Sequence, residues 1–119
     1  MVNYFSELQN EFPRVYPSYP YCGFYIPDGW KDLIHRLSKE LNEYLISNTD
    51  VDFVVDQVKS KHSTLRFYYS CSDLNVQTIV EKYENESGNI CEVCGKVAKL
   101  IDKNGWLYTL CEDCENADK

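Results

Sequence analysis

Apolar positions recur at three- and four-residue steps in three stretches of the chain, and at two-residue steps in two others. Between Asp28 and Asn48, Trp30, Leu33, Ile34, Leu37, Leu41, Tyr44 and Leu45 fall on one stripe, the mark of an amphipathic helix. Lys31, Asp32, Arg36, Lys39, Glu40 and Glu43 occupy the opposite face, which reads as solvated, and His35 sits at the edge in a structural role. Asp28 is expected to cap the helix through its carboxylate. Residues 73–88 predict a second helix, with Val76, Ile79, Val80 and Tyr83 on one face, Ser72 or Asp73 as its cap and Gly88 as its stop. Residues 2–12 predict a short packing helix carrying Tyr4, Phe5, Leu8 and Phe12 and ended by Pro13.

Alternation marks residues 51–71 as a β-hairpin. Val51, Phe53 and Val55 share one face, and Leu65, Phe67, Tyr69 and Cys71 line the returning strand. The turn is expected near Lys61-His62-Ser63. A second hairpin runs from Val97–Ile101 to Trp106–Leu110 through Asp102-Lys103-Asn104-Gly105, where Asn-Gly is a strong turn signal. The elements predict an α+β chain in three parts: a front segment (1–27), a helix–hairpin–helix core (28–88) and a C-terminal module (89–119), with the boundary at Ser87-Gly88-Asn89.

The C-terminal module carries the candidate chemistry. Cys91 and Cys94 form one Cys-x-x-Cys pair, and Cys111 and Cys114 form another sixteen residues later. Zinc takes four soft ligands in a tetrahedron, and two such pairs supply them. Gly95 permits the tight turn that brings two thiolates onto one ion. A polar helical turn after Cys111 would place the second pair at a helix start, where free N–H groups favour thiolate. Knuckle, hairpin and helix-borne pair is the order of a treble clef; a zinc ribbon is the close alternative. Four thiolates fill the shell, so Zn2+ is expected to be structural rather than catalytic.

Composition narrows the function classes. The net charge of −7 over 119 residues argues against a general grip on nucleic acid. It suits a protein partner. No Ser/His/Asp set, phosphate loop or open metal site is legible, so no catalytic residue is assigned and the chain is read as a non-enzyme. Residues 13–27 hold all four prolines and five large rings. They read as an irregular segment over the core, with partner contact as the functional alternative. Candidate partner-binding residues are Tyr16, Tyr19, Tyr21 and Tyr25 there, and Lys59, Lys61 and Arg66 on the first hairpin. With Lys96, Lys99 and Lys103, the hairpin cations would also serve the competing reading, a nucleic-acid-binding or transcription-related module. Cys22 is read as a buried thiol or bystander. No apolar run reaches membrane-spanning length, and MVNYFSELQN lacks the pattern of a signal peptide. A reducing cytoplasm is expected, where paired Cys-x-x-Cys motifs favour metal over disulfide.

Three segments in order, GWKDLIHRLSKEL, VDQVKSKHSTLRFYYS and ICEVCGKVAKLIDKNGWLYTLCEDC, resemble a largely uncharacterised family of small phage and prophage proteins. The resemblance covers residues 27 to 116, and is most specific at Gln57-Val58-Lys59, Leu65-Arg66-Phe67-Tyr68, Gly105-Trp106 and Leu110-Cys111. It implies metal-ligand roles for Cys91, Cys94, Cys111 and Cys114. The chain departs from the family at His62-Ser63, where Phe-Gly is expected, which bears on the geometry of that turn. No activity comes with the family. A phage setting implies the host bacterial cytoplasm and a host protein as partner, inhibited or redirected, with a bacterial defence system as the expected target; that last step is analogy.

Overall fold

The computed structural model describes residues 4–16 and 23–117. In chain order the elements are α1 (Tyr4–Glu11), β1 (Gly23–Tyr25), a 3-10 turn (Asp28–Trp30), α2 (Lys31–Ser47), β2 (Val54–Lys61), β3 (Thr64–Ser70), α3 (Leu74–Ser87), β4 (Lys99–Lys103), β5 (Trp106–Leu110) and α4 (Glu112–Ala117). The fold is α+β.

One sheet has the order β1-β2-β3, with β1 parallel to β2 and β2 antiparallel to β3. Its register sets Phe24, Val58 and Phe67 side by side on the inner face. Against them pack the α2 stripe of Leu33, Ile34, Leu37, Leu41 and Leu45, Val76, Val80 and Tyr83 of α3, and Leu8 of α1. Burying this apolar surface is the main driving force for the fold. The short β1 was not legible in the Tyr/Pro-rich stretch, because three residues beside a glycine carry no period. β2 breaks the alternation that the sequence suggested. A bulge between Val55 and Gln57 lets Val55 and Val58 both face the core, and residues 51–53 lie outside the strand.

Two expectations about α2 are corrected. Asp28 does not cap it: the carboxylate makes no capping bond and pairs with Lys31 at 3.6 Å, while the residue preceding α2 is Trp30, also without a side-chain cap. The charged face is not simply solvated either. Arg36 bridges Asp32 (2.9 Å) and Glu86 of α3 (2.6 Å), and Glu40 accepts from Lys82 (2.6 Å) and Tyr83 (2.7 Å). The two helices are thus laced together across their outer seam. Asp73 does cap α3, accepting from the backbone N–H groups of Asn75 and Val76 and from the Tyr44 hydroxyl. His35 contacts Glu11 at 3.0 Å and meets the Phe12 ring edge-on, a structural role.

Both edges of an exposed sheet need management. On β3 it comes from α3: the N–H of Leu65 donates to Ser87 Oγ at 2.9 Å, and that of Phe67 to Glu84 Oε2 at 2.9 Å. Burial pushes the Glu84 carboxyl up, and the Phe67 N–H and Arg66 only partly offset it. No helix among the described residues is long and apolar enough to cross a membrane.

A four-cysteine candidate metal centre

The chain leaving α3 forms a tight knuckle. The Gly95 N–H donates to the Cys91 carbonyl (2.9 Å) and the Cys91 N–H to that of Lys96 (2.7 Å). Gly95 takes φ +84, a left-handed angle at which a side chain would be strained. β4 and β5 then pair antiparallel, from Lys99 opposite Leu110 to Lys103 opposite Trp106. The hairpin turns at Asn104-Gly105, both with positive φ, and the Gly105 N–H donates to Asp102 Oδ1 at 2.8 Å. Cys111 follows β5 directly, and α4 starts at the next residue, so Cys114 lies in its first turn.

These pieces bring the four predicted thiols together. The sulfurs of Cys91, Cys94, Cys111 and Cys114 all lie within 4.8 Å of one another, and can hold a metal ion. All four are free cysteines, and the closest described sulfur contact, Cys94 to Cys111 at 3.5 Å, is far beyond a disulfide bond of about 2.0 Å. Burial raises the Cys91 thiol, but the N–H groups of Cys111, Cys94 and Val93 outweigh it and hold the group at about 6. Cys114 is pushed strongly upward by contact with the Cys111 and Cys94 sulfurs. At Cys94 the Lys96 N–H favours thiolate but is outweighed by burial and the neighbouring sulfurs. One thiolate is favoured among these crowded sulfurs and further ones are opposed.

The cage is not a lobe tethered by a linker. It sits on the 3-10 turn that leads into α2. The Gly29 N–H donates to the Glu92 carbonyl (2.9 Å), and the indole N–H of the fully buried Trp30 donates to the Ile90 carbonyl (3.0 Å). A Cβ on Gly29 would overlap the Cys91 carbonyl oxygen and stand 2.6 Å from the Glu92 carbonyl carbon. From the other side, the tip of the β2–β3 hairpin reaches in. Ser63 Oγ donates to Glu92 Oε2 at 2.6 Å and lies 3.1 Å from Thr109 Oγ1, which donates to the Ser63 carbonyl at 2.7 Å. Ser63 and Thr109 are buried. Gly29, Ser63, Glu92 and Thr109 therefore form the seat of the metal module. Nothing in their local sequence marks them: each matters through a residue 17 or more positions away.

The candidate partner residues part company. Tyr16 is 1% exposed, with its hydroxyl 2.8 Å from Ser38 Oγ and its ring edge-on to Phe67. It is a core residue, because the chain after α1 folds inward at Val15-Tyr16, and it offers no ring to a partner. Tyr19, Tyr21 and Cys22 lie outside the described residues. Tyr25, by contrast, is 85% exposed. The register puts Tyr25, Lys59 and Arg66 in one row on the outer face of the sheet, with Gln57 and Tyr68 in the next. Lys61 is exposed beyond them, whereas Ser63 of the same turn is not. The sequence reading missed two exposed aromatic groups: Tyr68 on this face, and Trp106 with Tyr108 on the β4–β5 hairpin. Strand alternation could have found Tyr68, since Leu65, Phe67 and Tyr69 were already assigned inward. No family model, curated protein or solved structure matches this chain.

Proposed function

We propose that the chain is a small zinc-stapled module that binds another protein. On the strength of the phage-type resemblance, that partner is a protein of the bacterial host, inhibited or redirected by binding, with a defence system as the target. The metal reading rests on the donor set. Four sulfurs around a zinc at about 2.3 Å would stand roughly 3.8 Å apart, and the observed spacing of 3.5 to 4.8 Å fits that requirement. With Cys111 and Cys114 at the start of α4, after a knuckle and a hairpin, the order of elements favours the treble clef over the ribbon. Bound zinc would neutralise the crowded thiolates and hold the module closed. Four thiolates leave no position for a substrate, so the reading is of a binding protein and not an enzyme.

The observation that carries partner binding is Trp106. Trp30 is wholly buried, while Trp106 is 72% exposed on the metal-anchored hairpin. It shares a face with Tyr108 and with Lys103, whose ammonium lies 5.8 Å from the Tyr108 ring. An exposed tryptophan on a rigid support is costly to leave in water and is the residue type most enriched at binding hot spots. The test is affinity capture from host lysate with zinc-loaded protein and its Trp106→Ala variant. One zinc per chain is expected by elemental analysis in both. A partner retained by the parent and lost by at least tenfold in the variant supports the reading. Equal retention, or a reduced protein with no metal, removes it.

A further inference from the structure

The outer face of the three-stranded sheet is separate from the Trp106 hairpin. Its inner face carries α1, α2 and α3, and among the described residues no element covers the outer one. That face carries Lys59, Lys61 and Arg66 in a chain of net −7. Lys31, Arg36 and Lys82 of the helical layer, and Lys96 of the knuckle, are all ion-paired. Among the described residues Lys59, Lys61 and Arg66 have no such partner within 4 Å, despite the surplus of carboxylates. The closest acids are already engaged. Asp56 accepts from Ser70, Glu92 from Ser63, and Glu84, beside Arg66, from the Phe67 N–H. Two rings flank the cations: Tyr25, and Tyr68 at 41% exposure with Lys59 Nζ 5.9 Å from its centre. An open groove of about 640 Å3 is lined by Tyr25, Ile26, Pro27, Gln57, Lys59 and Ser60, with Glu92 as its one acid.

We propose that this face is a platform for a single strand of nucleic acid, with bases stacked on Tyr25 and Tyr68 and phosphates held by Lys59, Lys61 and Arg66. A flat sheet bearing exposed rings and unpaired cations provides the two things a single strand offers to bind, π-faces and phosphates. An extended acidic peptide fits less well. It would gain its affinity by adding to a strand edge, and on β3 the Leu65 and Phe67 N–H donors are already taken by Ser87 and Glu84. A duplex presents no free base faces to a surface roughly 10 Å across. The acidic remainder of the chain confines the contact to a short segment and makes it weak at high salt. The proposal does not depend on the protein-partner reading, since Trp106 lies on a different sheet.

The experiment is fluorescence anisotropy of a labelled eight-nucleotide oligouridylate titrated with the full zinc-loaded chain at about 20 mM salt. Binding is expected, with a log–log salt slope near −2, as about three neutralised phosphates give on a single strand. Tyr25→Ala and Tyr68→Ala should each weaken it about tenfold. The double variant Lys59→Gln/Arg66→Gln should flatten the salt slope, and Lys39→Gln, exposed on α2, should leave binding unchanged. None of these side chains is in the core, and circular dichroism checks that each variant keeps the fold. No binding at low salt overturns the proposal, as does binding indifferent to both tyrosines. Displacement by polyglutamate as effective as by unlabelled oligouridylate would mean a plain cation-exchange surface, and overturns it too.

Discussion

The two β-hairpins solve the same turn with different chemistry. β4–β5 closes through Asn104 (φ 56) and Gly105 (φ 90), and β2–β3 through His62 (φ 53) and Ser63 (φ 61). Two consecutive left-handed residues make the tight turn that matches strand twist. Asn-Gly reaches that geometry cheaply, and the Gly105 N–H finds Asp102 within the turn itself. His-Ser does not: each non-glycine residue in this region costs about 1–2 kcal/mol. The compensation comes from elsewhere in the chain, through the Ser63 bonds to Glu92 and Thr109. The first turn is satisfied within its own residues, although its two-stranded hairpin leans on the metal for stability. The second is held by the metal module that it helps to seat. A glycine would ease the backbone but could not supply the hydroxyl.

Removing the metal tests this difference most severely. A structural zinc contributes roughly 10–16 kcal/mol of apparent binding energy to a small module. Chelation of zinc-loaded protein should therefore release the β4–β5 amides to hydrogen exchange first, together with the His62-Ser63 turn. The β2–β3 strands, held by the helical layer, should stay protected. Simultaneous loss of both hairpins would mean that β2–β3 is not independently supported by the helical layer.

Gly29→Ala comes next. The methyl group would meet backbone atoms of Cys91 and Glu92, which cannot step aside as a flexible side chain could. A loss of at least about 3 kcal/mol in denaturant unfolding is expected. A loss under about 1 kcal/mol would show that the module can shift on its seat.

The turns themselves give smaller, opposed effects. Ser63→Ala keeps the backbone strain and removes a buried hydroxyl that contacts Glu92 and Thr109, a loss of about 1–3 kcal/mol. Ser63→Gly removes the same hydroxyl but relieves the strain, so it should be the milder of the two. Gly105→Ala meets no atom within 4 Å and should cost only the strain, about 1 kcal/mol. If Ser63→Gly is worse than Ser63→Ala in thermal unfolding, the strain account of this turn fails.

Acid should separate the two regions in the same order. Thiolates must be deprotonated to hold a metal, so the module loosens first as pH falls. The helical layer follows later. Burial pushes the Glu40 carboxyl up, but Lys82 and Tyr83 outweigh it and hold it low. At Asp73 desolvation raises the carboxyl, but the Tyr44 hydroxyl and the Val76 and Asn75 N–H groups together outweigh it and hold it low. A lowered folded value means stability that is full above the unfolded value of about 4 and is lost as pH falls through the folded one. Asp73→Asn should shrink this second step in an acid titration followed by circular dichroism. A single step common to both regions would contradict the ordering.

Much of this was legible along the chain. Cys91, Cys94, Cys111 and Cys114 announced their cage because ligand spacing is a local property, and the α2 stripe and Asn104-Gly105 are local as well. β1 escaped notice because three residues carry no period, and the bulge after Val55 because one inserted residue silently reverses alternation. Asp28 looked like a cap by position, yet the intervening 3-10 turn carries it away from the start of α2. Tyr16 and Tyr25 are alike in composition and opposite in fate, since only the packing of Phe67 and Ser38 decides which ring is enclosed.

By itself the sequence determined the helices, the two hairpins and the four sulfurs, since each depends on residues that are neighbours or a turn apart. The tertiary structure decided the rest. It set Gly29 beneath Cys91, turned Ser63 inward and Lys61 outward, and brought Tyr25, Tyr68, Lys59 and Arg66 from three strands onto one sheet face. Those are contacts between residues distant in the chain, and their free energy comes from burial and hydrogen bonding that no single stretch contains.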